Sequence, residues 1–227
     1  MDLSPIRLSL ETSLTATFVV TVLGTLAAGW RVRHRGALFE LLDGFFLLPL
    51  VLPPTVVGFL LLLLLGRSSV IGGFIYDLGL RLVFSWNAAV IAAAVTTFPL
   101  MYMTARAALE QVDPPMVEAA RTLGAGEARI FREILLPLAW PGLAAGMVLT
   151  FARALGDFGA TLILAGSIPG KTQTLPLAIF FAVEAGDTAE AIRWSLVTVA
   201  ISLAALGALN LWTRHRTGLT MRVVDQD

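Results

Sequence analysis

LLPLVLPPTVVGFLLLLLLG, residues 47–66, gives the clearest indication of how this chain folds. These 20 residues carry no charged side chain, and a helix needs about 20 apolar residues to cross the hydrocarbon core of a bilayer. Because lipid offers no hydrogen-bond partners, the backbone groups of a span must bond within it, as they do in a helix. A barrel strand would be about half as long and would alternate in polarity. The stretch therefore predicts a helix that spans a membrane.

The composition of the whole chain agrees with this prediction. Of its 227 residues, 57% are hydrophobic and only 14% are charged, which differs strongly from soluble proteins. Asp, Glu, Lys and Arg are absent from five windows that are long enough to span a bilayer, namely residues 12–30, 44–66, 82–105, 134–152 and 194–213. We therefore expect an all-α integral membrane protein with five transmembrane helices in a single domain, residues 1–227.

The sequence contains few residues that could perform chemistry. It has no cysteine and only two histidines, His34 and His215, which both stand among arginines. A metal site needs a cluster of His, Cys or carboxylate side chains, and an active site needs a comparable cluster of reactive groups. The predicted spans present neither, so we expect no catalytic residue, no metal and no cofactor.

Basic residues are distributed unevenly between the two ends of the predicted helices. With the amino terminus outside, ten arginines lie on the inner side and five basic residues on the outer side, and Arg153 remains inside the fourth span. The inner set is Arg31, Arg33, Arg35, Arg106, Arg121, Arg129, Arg132, Arg214, Arg216 and Arg222, and the outer set is Arg7, Arg67, Arg81, Lys171 and Arg193. Because loops rich in Lys and Arg stay in the cytoplasm, we expect the amino terminus outside and the carboxyl terminus inside. The net charge of zero gives no indication of nucleic-acid binding.

Prolines interrupt the second span. Pro49, Pro53 and Pro54 remove backbone donors, so the helix is expected to break where protein or water can satisfy the freed carbonyls. Thr55 offers a hydroxyl beside the break, and Thr97 stands close to a further proline in the third span. Pro53, Pro54, Thr55 and Thr97 are candidates for a gate or a translocation pathway. A kink that only aids packing is the alternative.

Arg153 and Asp157 are the ionisable residues at the outer end of the fourth span. Their i, i+4 spacing puts them on one helical face, where they can neutralise each other. Ionisable groups at this depth are candidates for the pathway, and the alternative is a pair that anchors the end of the helix. In the outer connection, residues 158–193, the apolar piece 172–183 is too short to span and contains Pro176, which favours a re-entrant or interfacial helix.

The loop of residues 110–137 is expected in the cytoplasm. Asp113 and Pro114 are typical of a helix start with a capping side chain, and Gly124 can end that helix in the left-handed conformation. A second short helix, GEARIFREILL, is expected before Pro137 re-enters the membrane.

On the first helix of this loop, Glu118 and Arg121 are i, i+3 neighbours, and Ala119 and Ala120 provide a flat surface beside them. Small residues next to a charged pair suit a docking surface for a partner. A solvated amphipathic loop is the other interpretation.

The same residues carry a resemblance to a known family. Glu-Ala-Ala, three residues, Gly, nine residues and Ile-x-Leu-Pro form the signature loop of membrane subunits of bacterial ATP-binding-cassette (ABC) importers. Every position of the signature matches: Glu118, Ala119, Ala120, Gly124, Ile134, Leu136 and Pro137. The stretches FSWNAAVIAAAVTTFPLM and FARALGDFGAT are similar to molybdate permease subunits of this class, and the likeness covers about residues 10–213. Asp157 is a departure, since we expect Glu there in relatives.

The resemblance implies the permease fold of type I ABC importers in a bacterial cytoplasmic membrane. It implies a homodimer that moves molybdate by alternating access, together with two cytoplasmic ATPase subunits and an extracytoplasmic molybdate-binding protein. The permease itself would not be an enzyme, because ATP hydrolysis would occur on the partner chain. Glu118, Ala119, Ala120, Arg121, Gly124 and Pro137 would then couple it to the ATPase. Import of tungstate, sulfate or phosphate remains an alternative, as does an ion-coupled carrier that needs no ATPase.

Overall fold

The computed structural model describes residues 3–34 and 36–224, with side chains as far as residue 208. All regular secondary structure in these residues is helical, which confirms the all-α prediction. The helices are α1 (Ser4–Arg33), α2 (Ala37–Val51), α3 (Pro54–Leu65), α4 (Val70–Asp77), α5 (Trp86–Glu110), α6 (Pro114–Thr122), α7 (Glu127–Ile130), α8 (Leu136–Leu155), α9 (Gly159–Ala165), α10 (Leu175–Glu184) and α11 (Thr188–Val224).

Within the described residues, four helical segments are individually long and apolar enough to cross a membrane. They are α1, α5, α11 and the continuous segment Glu127–Leu155, which contains α7 and α8. The second predicted span is instead a pair of helices, α2 and α3, bent by 113°. Counting this pair as one broken span gives the five spans predicted from the sequence.

The bend between α2 and α3 lies at the predicted prolines. Pro53 precedes the first residue of α3 and Pro54 occupies its first turn, where a missing N–H costs no helical hydrogen bond. The first turn of α9 packs on this bend, because a Cβ at Gly159 would lie 3.2 Å from the Thr55 nitrogen. One turn further along α3, a Cβ at Gly58 would lie 2.8 Å from Cα of Ala160. Glycines on both helices therefore allow the two backbones to approach closely.

Small residues also bring α1 and α8 against α5. Ala16 of α1 and Ala93 of α5 are completely buried in one cluster, and a Cβ at Gly24 would lie 3.3 Å from the nitrogen of Tyr102. On α8, a Cβ at Gly142 would lie 2.6 Å from Cβ of Ala108. Residues without bulk at these positions let the three helices form the central core of the bundle.

Arginines gather at one end of this bundle, which we call the arginine end. Arg31 and Arg33 lie in the last turn of α1, Arg106 lies in the last part of α5, and Arg121 lies in α6. Arg35 lies outside the described residues, and so do the side chains of Arg214, His215, Arg216 and Arg222. The side of the membrane that the arginine end faces remains a prediction.

The opposite end of the bundle contains two short helices, α9 and α10. The predicted piece 172–183 forms α10, which begins at Leu175 and is too short to span. The Leu175 N–H donates to the Ser9 hydroxyl of α1 at 2.6 Å, which ties α10 to the start of the chain. The third span begins at Trp86, four residues later than its charge-free window, because the Ser85 hydroxyl caps the helix by accepting from the Ala88 N–H.

The loop between α5 and α8 differs from its prediction in the path of its second helix. The second short helix is not separate, since helical structure continues without a break from Glu127 to Leu155. A π turn, Phe131–Leu135, joins α7 to α8, and the Leu136 N–H bonds to the Phe131 carbonyl five residues earlier. Pro137 would clash with the carbonyl four residues earlier in a regular α-helix, and a π turn at this point avoids that clash.

We expect Gly58→Ala to lower the free energy of unfolding by about 1–3 kcal/mol, because its methyl group would overlap the backbone of α9. Gly44→Ala is the matched control, since Gly44 lies in α2 and a methyl group added there would meet no atom within 4 Å. Unfolding of the purified protein in detergent would measure both. Equal stability of the two variants would contradict the close packing of α3 on α9.

Candidate functional site

The helix α6 projects from the arginine end as a compact unit. It begins after Asp113, as predicted, but the Asp113 side chain makes no capping hydrogen bond. It ends at Gly124, which has the predicted left-handed conformation with φ of +81°. The Gly124 N–H bonds to the Arg121 carbonyl at 2.9 Å and the Ala125 N–H to the Ala120 carbonyl at 3.0 Å. These two bonds form a Schellman motif that fixes where the chain turns back.

The surface that α6 presents is only partly the one predicted. Glu118 and Ala119 are exposed, whereas Ala120 is half-buried and packs toward the core with Val117. Two large apolar side chains lie on the same exposed unit, with Met116 exposed by 50% and Leu123 by 87%. The exposed surface therefore includes a carboxylate, a small residue and two large apolar side chains.

Arg121 pairs with a different carboxylate from the one expected. Its Nε lies 2.6 Å from Glu127 Oε1 and its Nη2 lies 3.2 Å from Glu127 Oε2, which is a bidentate pair. The hydrogen bond to Glu127 is the main reason why the pKa of Arg121 is raised, and the charge of Glu118 has only a minor effect. The predicted Glu118–Arg121 pair is therefore wrong, because the turn at Gly124 carries Glu127 back alongside α6.

Pro137, the last of the predicted coupling residues, does not belong to α6. It occupies the first turn of α8 and is exposed. The structure gives it a local role next to the π turn, and its predicted part in coupling remains a prediction.

A second charged cluster lies behind α6 at the arginine end and was not identified from the sequence. Asp43 of α2 accepts hydrogen bonds from Arg31 Nε and Arg106 Nη1, both at 2.8 Å, and from the hydroxyl of Tyr102. The Asp43 side chain is only 14% exposed. Three donors from two neighbouring helices therefore neutralise this carboxylate and hold α2 against α1 and α5. The sequence feature that could have identified Asp43 is its position immediately before the charge-free window 44–66.

Some of the predicted pathway residues meet around α9, where Thr55 packs on Gly159 and Arg153 approaches the carboxylate of Asp157. Its carboxylate is 3% exposed and accepts hydrogen bonds from the Thr96 hydroxyl at 3.1 Å and the Thr161 hydroxyl at 2.6 Å. The Thr161 N–H also donates to it at 3.2 Å. Asp157 thus joins α5 to α9, and its hydrogen-bond partners are hydroxyl and backbone groups.

The predicted Arg153–Asp157 pair is loose. Their closest nitrogen and oxygen atoms are 3.9 Å apart, and the Arg153 side chain is 41% exposed. Helix α8 ends at Leu155, so Asp157 lies beyond it and does not share a helical face with Arg153. This geometry favours the anchoring interpretation for Asp157.

The remaining pathway candidates differ in their surroundings. Pro53, Pro54 and Thr55 are exposed at the bend that α9 covers from one side. Thr97 is completely buried, and its hydroxyl donates to the Ala93 carbonyl of its own helix at 2.7 Å. Its neighbour Thr96 makes the contact with Asp157 that connects α5 to this region.

No group of three or more His, Cys, Asp or Glu side chains that could hold a metal occurs within the described part of the chain. The exposed His34 forms a cluster with two aromatic rings, with its centroid 5.2 Å from that of Trp30 and 5.3 Å from that of Phe39. This packing accounts for its position at the end of α1.

Comparison with solved structures identifies the fold. An inward-facing structure of the MetNI methionine ABC transporter superposes with a TM-score of 0.75, covering 93% of this chain and 94% of that chain at 18% identity. Likeness at this identity concerns the fold, and the fold is that of the ABC importer permeases. The chain thus has the fold of a multi-pass membrane protein.

The chain belongs to the family described as binding-protein-dependent transport system inner membrane component, whose model matches residues 20–214. It is 45% identical over 219 residues to the molybdenum transport system permease protein ModB of Escherichia coli K12, covering 94% of this chain and 95% of that protein. It is 35% identical over 204 residues to the sulfate transport system permease protein CysT of Salmonella typhimurium, covering 88% of this chain and 74% of that protein. The family predicted from the signature loop is confirmed.

We expect Asp157→Ala to lower the free energy of unfolding by about 1–3 kcal/mol, because it leaves buried hydroxyl groups without their partner. The free energy of unfolding of Asp157→Asn should be close to that of the unchanged protein. The amide oxygen of Asn can accept a hydrogen bond from Thr161, and its NH₂ group can donate one to Thr96. Unfolding in detergent would compare the two. An Asn variant as unstable as the Ala variant would show that the charge of Asp157 is essential to this junction.

Proposed function

We propose that this chain is the membrane subunit of an ATP-driven importer that moves molybdate across the cytoplasmic membrane by alternating access. The observation that carries the proposal is the 45% identity to the molybdenum permease ModB along 94% of the chain. Identity at this level over nearly the full length of both proteins supports a shared substrate class. The permease provides the pathway and is not itself an enzyme.

The partners that we propose follow from the family and from the fold. The family description names a binding protein, and for this chain we infer an extracytoplasmic protein that binds molybdate. Two cytoplasmic ATPase subunits would supply the energy, and a second copy of this chain would complete the pathway. Five spans in one chain, counting the bent pair, support a pathway between two copies, because an odd number cannot form two matching halves.

The arginine end, in this proposal, lies in the cytoplasm, in agreement with the positive-inside rule. The exposed side of α6 would then dock on the ATPase. Glu118 and Ala119 are exposed, and Met116 and Leu123 provide apolar area that a groove on the partner can cover. Ala120 holds α6 in place by packing on the core. Gly124 provides the left-handed residue at which the chain turns after the helix.

Asp157, Arg153 and the proline bend are proposed to border the pathway near the opposite end. Arg153 is the exposed cation of this region, and a cation can attract an oxyanion. One arginine close to an aspartate is a weak basis for selecting among anions, so we propose that the binding protein makes the choice.

A second candidate substrate is sulfate. The 35% identity to the sulfate permease CysT supports it, although over a smaller share of that protein. Both anions are tetrahedral and carry two negative charges, so the permease could accept either.

Gly124→Ala should weaken the association with the ATPase and reduce uptake. Nothing lies within 4 Å of the added methyl group, but φ of +81° disfavours any residue with a side chain by about 1 kcal/mol or more. The matched control is Gly126→Ala in the same loop, where φ is −71° and the added methyl group is also unobstructed. Co-purification of the ATPase and anion uptake are the measurements. Normal assembly and uptake with Gly124→Ala would contradict the docking role of α6.

Uptake into vesicles tests the function as a whole. Vesicles would contain this chain, its ATPase and the binding protein, with labelled molybdate outside and either ATP or a non-hydrolysable analogue inside. We expect molybdate uptake that requires all three proteins and hydrolysable ATP, and that excess unlabelled sulfate reduces only weakly.

Three other outcomes would change the proposal in different ways. Uptake without the ATPase would indicate an ion-coupled carrier. Strong competition by sulfate would favour sulfate, the second candidate substrate. Uptake of labelled tungstate would show that the heavier anion is carried as well.

A further inference from the structure

The start of α7 is held by the last turn of α1. Arg33 donates a hydrogen bond from Nη2 to the backbone carbonyl of Glu127 at 2.9 Å. Its guanidinium also lies 5.3 Å from the ring centroid of Phe131. The same ring fills the space that a side chain at Gly29 would occupy. Separate contacts from Gly29 and Arg33 therefore fix residues 127–131 to α1.

Glu127 also holds α6. Its two carboxylate oxygens receive the bidentate pair from Arg121, at 2.6 and 3.2 Å, while Arg33 Nε lies 3.8 Å from Oε2. One carboxylate thus lies between an arginine of α6 and an arginine of α1. Half-buried Val117 and Ala120 also attach α6 to the bundle by packing on the core.

We propose that Glu127 is a positioning residue that transmits movements of α6 to α1. The inference rests on the proposed function of α6 as the docking element for the ATPase. Without the carboxylate, α6 would keep its own fold and its docking surface but would lose its fixed orientation relative to α1. Movement of the ATPase would then turn α6 without moving the transmembrane helices in proportion.

The exposure of these ion pairs favours a role in orientation over a role in stability. The side chains of Glu127 and Arg121 are 47% and 50% exposed, and exposed ion pairs contribute little to the stability of the folded chain. A bidentate pair between guanidinium and carboxylate nevertheless fixes the relative geometry of its two partners. Loss of Glu127 should therefore change coupling much more than folding.

The contacts of α1 extend this connection into the bundle. Arg31 lies two residues before Arg33 and binds Asp43 of α2 at 2.8 Å, and Asp43 in turn binds Arg106 of α5. A displacement of the end of α1 therefore acts on α2 and α5 through a continuous set of packed and hydrogen-bonded groups, and such contacts can carry coupling between distant sites.

The test is the amount of molybdate taken up per ATP hydrolysed by the assembled complex. Glu127→Ala and Arg33→Ala should each lower this ratio by between about twofold and thirtyfold, with unchanged amounts of complex. The double variant should be no worse than either single one, because both remove the same connection. Amide hydrogen exchange in residues 114–122 should be faster in all three, which reports looser attachment of α6.

Glu133→Ala is the matched control. Glu133 is a carboxylate of the same helical segment, but its ion pairs among the described residues are with Arg129 and Arg132 of that segment. Glu133→Ala should take up as much molybdate per ATP hydrolysed as the unchanged protein. A normal ratio in Glu127→Ala, or an equal loss in Glu133→Ala, would overturn the role of Glu127 while leaving the proposed function intact. A complex of unchanged proteins that takes up no molybdate would overturn the proposed function and this role with it.

Discussion

Inside a membrane every backbone polar group must find a partner within the protein, and the broken span shows how this chain meets that requirement. The break after α2 interrupts the helical hydrogen bonds, and the first turn of α9 covers it from one side. That cover depends on glycine at positions 58 and 159, where side chains would separate the two backbones. It depends equally on Asp157, which fixes the start of α9 to α5 through Thr96 and Thr161. The bend, the short helix and the buried carboxylate therefore form one structural unit.

The two ends of the bundle are stabilised by different interactions. At the arginine end, carboxylates and guanidinium groups bind helix to helix, as with Asp43 between Arg31 and Arg106. At the opposite end, the contacts are between small residues and between hydroxyl groups and one buried carboxylate. The Asp43 cluster is largely buried, whereas other ion pairs of this end, such as Arg129 with Glu133, are exposed and contribute little to stability. The opposite end has the tighter backbone packing, which allows less local rearrangement.

The sequence predicts the number of spans, the broken second span, the loop helix and its end at Gly124, because each of these depends on local properties. Charge-free length identifies a span, proline identifies a break, and a signature motif identifies the loop. The partners of the charged residues could not be predicted in the same way. Arg121 bonds to Glu127 and not to Glu118 because of the path that the chain takes after Gly124, and Asp43 and Asp157 find their partners on helices that are distant in sequence. Pro137 was expected to separate two helices, but a π turn lets one helix continue past it.

Helix α5 is long enough that a small rigid-body tilt displaces its middle by several ångströms. It continues unbroken past Pro99, and its 25 residues correspond to a length of about 37 Å. The loop with α6 is attached at one end, and Thr96 lies about 21 Å from that end. A tilt of ten degrees about the attached end would displace the level of Thr96 by about 4 Å, which is more than the hydrogen bond to Asp157 can stretch. Either that bond breaks or α9 moves together with α5. Because the Asp157 carboxylate is buried, breaking its hydrogen bond costs more free energy than moving the two helices together.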